Sequence, residues 1–386
     1  MHIVIVLPTY NERESVGSTI DGIQKVLPQI KNHTFDILVV DDNSPDGTAE
    51  VIKQYIKKYP NIYLLSGQKK GLGAAYVRGF KHAMTKMSAD VVFEMDADGQ
   101  HDPTYLPKFM AEIDNGYDYV IGARYIPGGS VPKEWGIHRK IVSYFGSIFA
   151  RVVLWMPQLT DFTTGYRATR VKGVLDSVDL DHLLSYKFAY KIHILAQFIE
   201  KGAKIKEIPL KFGLREKQQS KASLNTFFES LRVVLILRYR MSQRFIKVCV
   251  VGAIGASLQF SGYFILKEIF GSFRGVGVFG IVISEKGIFN AVATEVGIAA
   301  NFAINNIWTF KDSKISGFFT VIKKFPQFNF FVLGSLVIQA VVLEVGTRIT
   351  GIDTNFFDFV LISTGILIGL IYNYLVYKKV IWKTKK

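Results

Sequence analysis

The sequence predicts an α/β domain with a mostly parallel sheet, followed by an all-α membrane domain with four helices. Three observations support this fold class. Strand-like apolar runs alternate with helical patterns in the first third of the chain, polar loops follow the first four runs, and long apolar stretches dominate after residue 245. At 386 residues, the chain is also longer than one average domain.

The alternation of strands and helices covers the first 122 residues. Strands are predicted at 3–7, 35–40, 62–66, 91–95 and 119–122, and helices at about 15–27, 48–58 and 73–87. Such alternation is typical of parallel sheets, which bind ligands where the carboxyl ends of the strands open into loops.

Polar or glycine-containing loops follow the first four predicted strands. Their residues are 8–12, 41–48, 71–73 and 96–100. Each loop alone could be an ordinary turn between a strand and a helix. Four such loops at one edge of a sheet predict a binding site. The chain contains neither GxGxxG nor GxxxxGK[ST], so dinucleotide and P-loop sites lack their usual motifs.

The fourth loop carries two carboxylates, Asp96 and Asp98, which together form a DxD motif. Side chains alternate along a strand, so residues two apart at a strand end are expected to point the same way. Two such carboxylates can hold a hard divalent cation, which suits a nucleotide diphosphate. In isolation, the motif could equally be a solvated turn.

The second half of the chain contains four apolar stretches, each long enough to cross a bilayer, which needs about 20 residues in a helix. They lie at about 248–266, 287–310, 325–343 and 359–377, and only the second carries a charge, Glu295. Lys and Arg cluster before the first stretch, between the second and third, and after the fourth. The chain is therefore expected to be an integral protein of the cytoplasmic membrane. Because Lys and Arg near the ends of spans are retained on the cytoplasmic side, the catalytic domain and both termini are expected to be cytoplasmic.

Residues 223–244 read as an amphipathic helix, with Phe227 and Leu231 on an apolar face beside Arg232 and Arg238. Such a helix can lie in the membrane interface, although a linker packed on the soluble domain is the alternative. The predicted organisation is therefore a soluble domain at 1–222, an interface region at 223–244 and a membrane domain at 245–386.

The net charge of +15 has two candidate explanations, nucleic acid or phosphates at a membrane. Most cation clusters flank predicted spans or lie in the candidate catalytic segment, and no zinc-finger spacing or RNA-binding aromatic motif is present. Membrane phosphates and a phosphorylated substrate therefore explain the charge better, and no nucleic-acid partner is expected. The single cysteine, Cys249, excludes an internal disulfide.

In combination, the motifs resemble glycosyltransferase family 2 enzymes of the GT-A fold, specifically the polyprenyl-phosphate (dolichyl-phosphate) mannose synthase group, fused to a GtrA-like membrane domain. The resemblance rests on Pro8-Thr9-Tyr10-Asn11-Glu12, Val40 to Thr48, Gly71-Leu72-Gly73, Met95-Asp96-Ala97-Asp98, Gly122-Ala123-Arg124-Tyr125 and Asp161 to Arg167, with Asn301-Phe302 and Ile307 to Phe310 in the membrane half.

The resemblance implies roles for individual residues. Four residues match positions at which the family binds the nucleoside of the donor: Pro8, Tyr10, Glu12 and Asp42. Those matching the metal site are Asp96, Asp98 and Gln100, with Mg²⁺ or Mn²⁺ as the cofactor. Three residues match positions that bind the acceptor phosphate: Arg124, Arg139 and Ser143. Together with Asp98, they are the predicted catalytic residues. Those resembling a basic loop that closes over the donor phosphates are Arg215, Ser220 and Lys221.

The chemistry of such a reaction fits these residue types. A divalent cation neutralises the charge that develops on a leaving diphosphate. A lipid monophosphate is already anionic near neutral pH, so it needs no general base, and arginines suffice to orient it. Direct attack by this oxygen on the anomeric carbon is expected to invert the configuration.

The expected function is transfer of mannose from GDP-mannose to a polyprenyl or dolichyl monophosphate, without an obligate protein partner. One departure from the family pattern keeps the sugar open: Tyr190-Lys191-Ile192-His193 stands where relatives show a Phe-Gln-x-Glu-like sequence. A glucosyltransferase using UDP-glucose is therefore an alternative. A flippase of lipid-linked sugar with a regulatory soluble domain is another, while a processive synthase is disfavoured because its Gln-x-x-Arg-Trp segment is absent.

Overall fold

The computed structural model describes residues 1–214, 224–271, 276–278, 281–351 and 354–383. These residues form two compact units, Met1–Tyr239 and Arg240–Lys386.

The first unit contains seven strands and six helices before the long helix α7. The strands are β1 (His2–Thr9), β2 (Thr34–Asp41), β3 (Ile62–Ser66), β4 (Val91–Glu94), β5 (Tyr119–Ala123), β6 (Arg167–Arg170) and β7 (Ile205–Pro209). The helices are α1 (Val16–Val26), α2 (Thr48–Lys58), α3 (Leu72–Lys86), α4 (Leu106–Asp114), α5 (Ile137–Val153) and α6 (Tyr190–Glu200).

The seven strands form one sheet in the order β3-β2-β1-β4-β6-β5-β7. Strand β1 pairs in parallel with β2 and β4, β2 with β3, and β5 with β7, whereas β6 is antiparallel to both its neighbours. The predicted mostly parallel α/β sheet is confirmed. Because β3, β2, β1 and β4 are adjacent and parallel, the loops that follow them lie along one edge of the sheet.

Strand β1 is apolar on both faces because helices cover both sides of the sheet. Ile3, Ile5 and Leu7 belong to one buried cluster, while Val4 and Val6 belong to a second, as the alternation of side chains along a strand requires. The first cluster includes residues of α1 and α4, and the second includes residues of α3 and α6. The sheet is therefore the middle layer between two hydrophobic cores.

Helix α3 packs closely on the sheet because it has a glycine where it crosses β1 and β2. A Cβ at Gly79 would lie 2.5 Å from Cγ1 of Val6 and 3.1 Å from Cγ2 of Val40. Both valines are fully buried in strands, so neither can move away easily. This close approach sets the position of α3 and therefore of the side chains that it carries to the sheet edge.

Helix α7 spans Leu224–Phe270 without interruption. The segments expected to form a separate interface helix (223–244) and a first span (248–266) are therefore parts of one helix. The sequence suggested a division because the cations between Arg232 and Lys247 interrupt the apolar pattern, but no Pro or Gly between them ends the helix.

The second unit contains the rest of α7, a short hairpin and three further helices. The hairpin is β8 (Val276–Val278) with β9 (Ile281–Ile283), and the helices are α8 (Glu285–Ile304), α9 (Phe318–Thr350) and α10 (Asn355–Val376). Within the part of the chain that the structure describes, four helical segments are long and apolar enough to cross a membrane, in agreement with the four predicted spans: Asn225–Phe270, Glu285–Thr309, Phe318–Thr350 and Phe356–Ile381.

An aromatic cluster joins the ends of α8 and α10. The rings of Phe310 and Trp382 stack at 4.8 Å, and the indole of Trp382 donates a 2.9 Å hydrogen bond to Oδ1 of Asn306. The same oxygen accepts a 2.7 Å bond from the backbone N–H of Ile315. Asn306 thus ties the loop after α8 to the segment after α10 within this unit.

We predict that Gly79→Ala destabilises the protein. Alanine favours a helix by about 1 kcal/mol over glycine, but overpacking against two fixed valines costs about 1–3 kcal/mol. Thermal unfolding of the purified chain should therefore begin at a lower temperature. The matched control is Gly146→Ala in α5, whose new methyl would meet only Phe227, at 3.9 Å. It should leave the Tm unchanged or raise it, and equal Tm values for both variants would contradict the packing argument.

Candidate active site

The carboxyl ends of β1 and β2 are joined by polar side chains. The hydroxyl of Thr9 donates a 2.9 Å hydrogen bond to Asp41, and the backbone N–H of Glu12 donates a 3.1 Å bond to the hydroxyl of Thr48. The Glu12 carboxylate accepts a 2.9 Å bond from Ser15. The loop that follows β1 is therefore fixed against the loop that follows β2, and this brings Pro8 and Glu12 to one edge with Asp42.

Two cations that sequence reasoning missed lie at this edge. Arg78 of α3 pairs with Asp42 at 2.5 Å, and the Lys69 ammonium lies 3.4 Å from the ring centre of Tyr10. Burial raises the pKa of Asp42, and the pairing with Arg78 opposes that shift. No short motif surrounds Arg78, so its role could be found only from the packing of α3.

The DxD motif lies beyond its strand. Strand β4 ends at Glu94, so the alternation of side chains does not orient Asp96 and Asp98. A tight loop orients them instead: Gly99 has a φ of +79°, and Asp98 accepts a 3.1 Å bond from the backbone N–H of Gln100. The Gln100 amide in turn donates a 3.3 Å bond to the carbonyl of Gly213.

Asp96 is supported by two buried rings. The Tyr76 hydroxyl donates a 2.9 Å bond to Oδ1 of Asp96, and the backbone N–H of Asp96 donates a 2.8 Å bond to Nδ1 of His101. His101 stacks on Tyr166 with ring centres 4.9 Å apart. Burial lowers the pKa of His101 to about 4, so its ring is neutral at physiological pH. His101 is thus a packed support for the loop.

The donor set at this loop fits a hard divalent cation. Two carboxylates and a side-chain amide supply oxygen ligands, which Mg²⁺ and Mn²⁺ prefer. Within the described residues, no group of three His, Cys, Asp or Glu side chains is arranged to hold a metal. A cation at Asp96 and Asp98 would therefore take its remaining ligands from substrate phosphates and water.

Arg124 and Asp161 form a buried, bidentate ion pair. Nε and Nη2 of Arg124 each donate a 2.7 Å bond to Asp161, and Nη2 also donates a 2.6 Å bond to Thr163. Asp161 further accepts backbone N–H bonds from Arg124, Thr163 and Thr164. Burial alone raises the pKa of Asp161, but the interactions with Arg124 hold it below its usual value. The pair fixes the loop after residue 160 against the end of β5.

A cavity of about 420 Å³ joins the DxD loop to the predicted acceptor residues. Its polar and charged lining residues include Asp96, Gln100, Arg124, Arg139 and Ser143. Its apolar wall consists of Val142, Phe149, Phe188, Ile192, Phe212, Phe227, Leu231 and Val234. The cavity is therefore lined by both charged and large apolar side chains.

The two predicted acceptor residues on α5 are held by aromatic neighbours. The guanidinium of Arg139 lies 3.7 Å from the ring centre of Trp135. The hydroxyl of Ser143 accepts a 2.6 Å bond from Tyr125. Pro8, Tyr10, Glu12, Asp42 and Asp98 do not line this cavity. Arg215, Ser220 and Lys221 lie outside the described residues.

The departure at residues 190–193 has two different consequences. His193 lies away from the cavity, and its Nδ1 accepts a 3.0 Å bond from the backbone N–H of Leu184. Lys191, by contrast, lines the cavity and is only 2 % exposed. The sequence analysis singled out the position at which His193 replaces an acid, but it assigned no role to Lys191.

Comparison with known proteins identifies two family domains in this chain. Residues 4–176 match the family described as Glycosyl transferase family 2, and residues 244–382 match the GtrA/DPMS transmembrane domain. A dolichol-phosphate mannosyltransferase from Pyrococcus furiosus is 34% identical over 84% of this chain and 86% of its own length. The chain belongs to glycosyltransferase family 2. Together with its four candidate spans, the GtrA/DPMS domain makes this glycosyltransferase a membrane protein.

Two further proteins illustrate the range of similarity to this glycosyltransferase. An undecaprenyl-phosphate mannosyltransferase from Micrococcus luteus is 36% identical over 63% of this chain and 96% of its own length. Among solved structures, glucosyl-3-phosphoglycerate synthase from Mycobacterium tuberculosis covers 61% of this chain and 78% of its own, with 17% identity and a TM-score of 0.48. That structural similarity is too low to carry an argument about function.

We predict that Asp161→Ala is strongly destabilising, because it leaves a buried arginine without its carboxylate. Breaking such a pair costs about 3–5 kcal/mol. The double variant Arg124→Met with Asp161→Leu should recover part of that loss, because it removes both charges. Asp181→Ala, which breaks an exposed pair with Lys81, is the control and should cost less than about 1 kcal/mol. Thermal unfolding measures all three, and a double variant less stable than Asp161→Ala would refute the account.

Proposed function

We propose that this glycosyltransferase transfers mannose from GDP-mannose to a polyprenyl or dolichyl monophosphate, with inversion at the anomeric carbon. The observation that carries the proposal is the cavity, whose lining combines a DxD carboxylate and Arg124 with large apolar side chains. The names of the Pyrococcus and Micrococcus relatives support a lipid phosphate acceptor and mannose as the sugar.

The donor is held along the edge formed by β1, β2 and β4. Pro8, Tyr10, Glu12 and Asp42 contact the nucleoside, close to where Asp42 pairs with Arg78. A divalent cation, Mg²⁺ or Mn²⁺, would be held by Asp96, Asp98 and Gln100 and would neutralise the charge that develops on the leaving diphosphate. The Tyr76 hydroxyl keeps Asp96 in place for this role.

The acceptor phosphate lies among Arg124, Arg139 and Ser143, with its prenyl chain along the apolar wall. Arg124 is oriented by Asp161 and Thr163, and its Nη1 donates no hydrogen bond to another described residue, so it can bind a phosphate oxygen. The phosphate is already an anion, so these residues need only hold it in line with the anomeric carbon. Attack from the side opposite the leaving group converts an α-linked donor into a β-linked product.

The membrane supplies the acceptor from the cytoplasmic side. The clusters of Lys and Arg before, between and after the candidate spans support a cytoplasmic catalytic unit and cytoplasmic termini. Large apolar side chains on α5 and directly after it are exposed, including Ile137, Phe145 and Trp155. Such side chains beside Lys and Arg suit contact with the lipid surface.

A second candidate donor is UDP-glucose. The observation that favours testing it is the sequence at 190–193, because Lys191 brings a cation into the cavity at a position where the family pattern has a Gln.

We predict that the purified full chain, given Mn²⁺, a polyprenyl phosphate and a panel of sugar nucleotides, forms a mannosylated lipid from GDP-mannose. Mass analysis identifies the product, and an NMR coupling constant should show the β configuration. Asp98→Ala should abolish synthesis, whereas the exposed control Asp179→Ala should not. No glycosylation of any lipid phosphate would refute the proposed function, and glucose transfer from UDP-glucose alone would assign the other donor.

We also predict that Tyr76→Phe weakens metal activation without abolishing it. Loss of the hydroxyl removes the bond that orients Asp96, and losing such a support typically costs 10–100-fold in metal affinity. The measurement is the Mn²⁺ concentration that gives half-maximal rate. The control is Tyr63→Phe on the exposed part of β3, which should leave this concentration unchanged. An unaltered midpoint in Tyr76→Phe would contradict the role of the bond.

A further inference from the structure

Lys191 is a buried cation inside the cavity of the proposed reaction. It stands in the first turn of α6 and is 2 % exposed, yet its side chain is part of the cavity lining, together with Asp96, Arg124 and Thr163. Its ammonium is 4.6 Å from the centre of the Phe188 ring. The Lys191 side chain therefore brings a buried positive charge to the lining of this cavity.

The Lys191 ammonium makes no hydrogen bond or ion pair with the residues that the structure describes. The two nearby carboxylates already have hydroxyl donors: Glu94 accepts a 2.5 Å bond from Tyr190, and Asp96 accepts a 2.9 Å bond from Tyr76. A buried ammonium that has only aromatic rings as neighbours of this kind among the described residues is costly, because it has lost its water and gained no fixed oxygen acceptor. Retaining one in a cavity indicates that a ligand supplies the acceptor.

Gly165 keeps open the space in front of this ammonium. A Cβ at Gly165 would lie 2.7 Å from Nζ of Lys191 and 3.1 Å from Oδ2 of Asp96. A side chain at residue 165 would therefore occupy the space between the buried cation and the DxD carboxylate. That space belongs to the cavity that Asp96 of the proposed metal site and Arg124 also line.

The charge balance of the cavity also favours an anion beside Lys191. Asp161 already compensates the charge of Arg124 through two hydrogen bonds. Lys191 has no such carboxylate bonded to it among the described residues. Burial lowers the pKa of Lys191 to about 8, and attraction to Asp96 opposes that shift, so the side chain is still mostly protonated at neutral pH.

We propose that Lys191 binds a phosphate oxygen of the reacting substrates and is a further catalytic residue of this enzyme. The inference rests on the proposed function, since it places a sugar nucleotide and a lipid phosphate in this cavity. The oxygen belongs either to the acceptor monophosphate or to the leaving diphosphate of the donor. Both are anions that an ammonium binds as a point charge.

The test compares Lys191→Met, Lys191→Gln and the control Lys201→Met in the full chain. Lys201 is exposed and directly follows α6, so its replacement makes the same chemical change away from the cavity. Binding of GDP with Mn²⁺, and separately of farnesyl phosphate, is measured by calorimetry. KM and kcat are measured with both substrates, and Tm is measured without ligands.

Lys191→Met and Lys191→Gln are expected to bind one of the two ligands at least tenfold more weakly, while Tm is unchanged or higher because a desolvated charge has been removed. Weaker farnesyl phosphate binding with a raised acceptor KM assigns the acceptor. Weaker GDP binding with an unchanged acceptor KM assigns the leaving diphosphate. Either result supports the proposal.

The proposal is overturned if both affinities stay within twofold of the control. It is also overturned if Tm falls and both affinities weaken together, which would indicate a structural role, or if only the preference between mannose and glucose changes, which would indicate a contact to sugar hydroxyls. The binding measurements need no turnover. A wild-type chain that glycosylates no lipid would therefore refute the proposed function and leave the role of Lys191 to be decided by calorimetry.

Discussion

The DxD carboxylates, Asp96 and Asp98, follow β4 in a largely buried loop. The side chains that contact this loop determine whether it can hold a metal ion and a diphosphate. Asp96 is held by the Tyr76 hydroxyl from α3 and through its backbone by neutral His101. Glu94, two residues earlier, is buried and accepts a hydrogen bond from the Tyr190 hydroxyl. Burial raises the pKa of Glu94, and the nearby Arg167 and the bond from Tyr190 oppose that shift. The position of α3 on the sheet is thus coupled to the chemistry at its edge.

The segment between Asp161 and Gly165 connects the proposed metal site at the DxD loop with the proposed acceptor phosphate site at Arg124. Arg167 at the start of β6 is fully buried and donates hydrogen bonds to the carbonyls of Phe162, Thr164 and Lys191. One strand residue therefore fixes the loop that carries the partner of Arg124 and the helix turn that carries Lys191. The antiparallel insertion of β6 into an otherwise parallel sheet makes this possible, because it brings the loop before β6 back to the edge where the parallel strands end.

Sequence patterns predicted the elements whose signals are local. Strands β1 to β5 were found because their apolar runs are bounded by turn residues, and the four loops were placed correctly because parallel strands share an edge. The four-residue strand β6 gave no periodic signal, and the orientation of Asp96 and Asp98 came from a glycine turn that strand alternation does not describe. Arg78, Tyr76 and Lys191 act through contacts with residues distant in sequence, so only the fold could identify them. The unbroken helix α7 was missed because charges were taken as a boundary.

The central claim is that one cavity brings a metal-bound diphosphate and a lipid phosphate together. An experimental structure of the full chain with GDP, Mn²⁺ and a short prenyl phosphate tests it most directly. The account predicts a cation beside Asp96 and Asp98, and a phosphate beside Arg124 with its prenyl chain along the wall that includes Phe149 and Phe227. A prenyl phosphate bound outside this cavity while GDP and Mn²⁺ occupy the DxD loop would contradict the account.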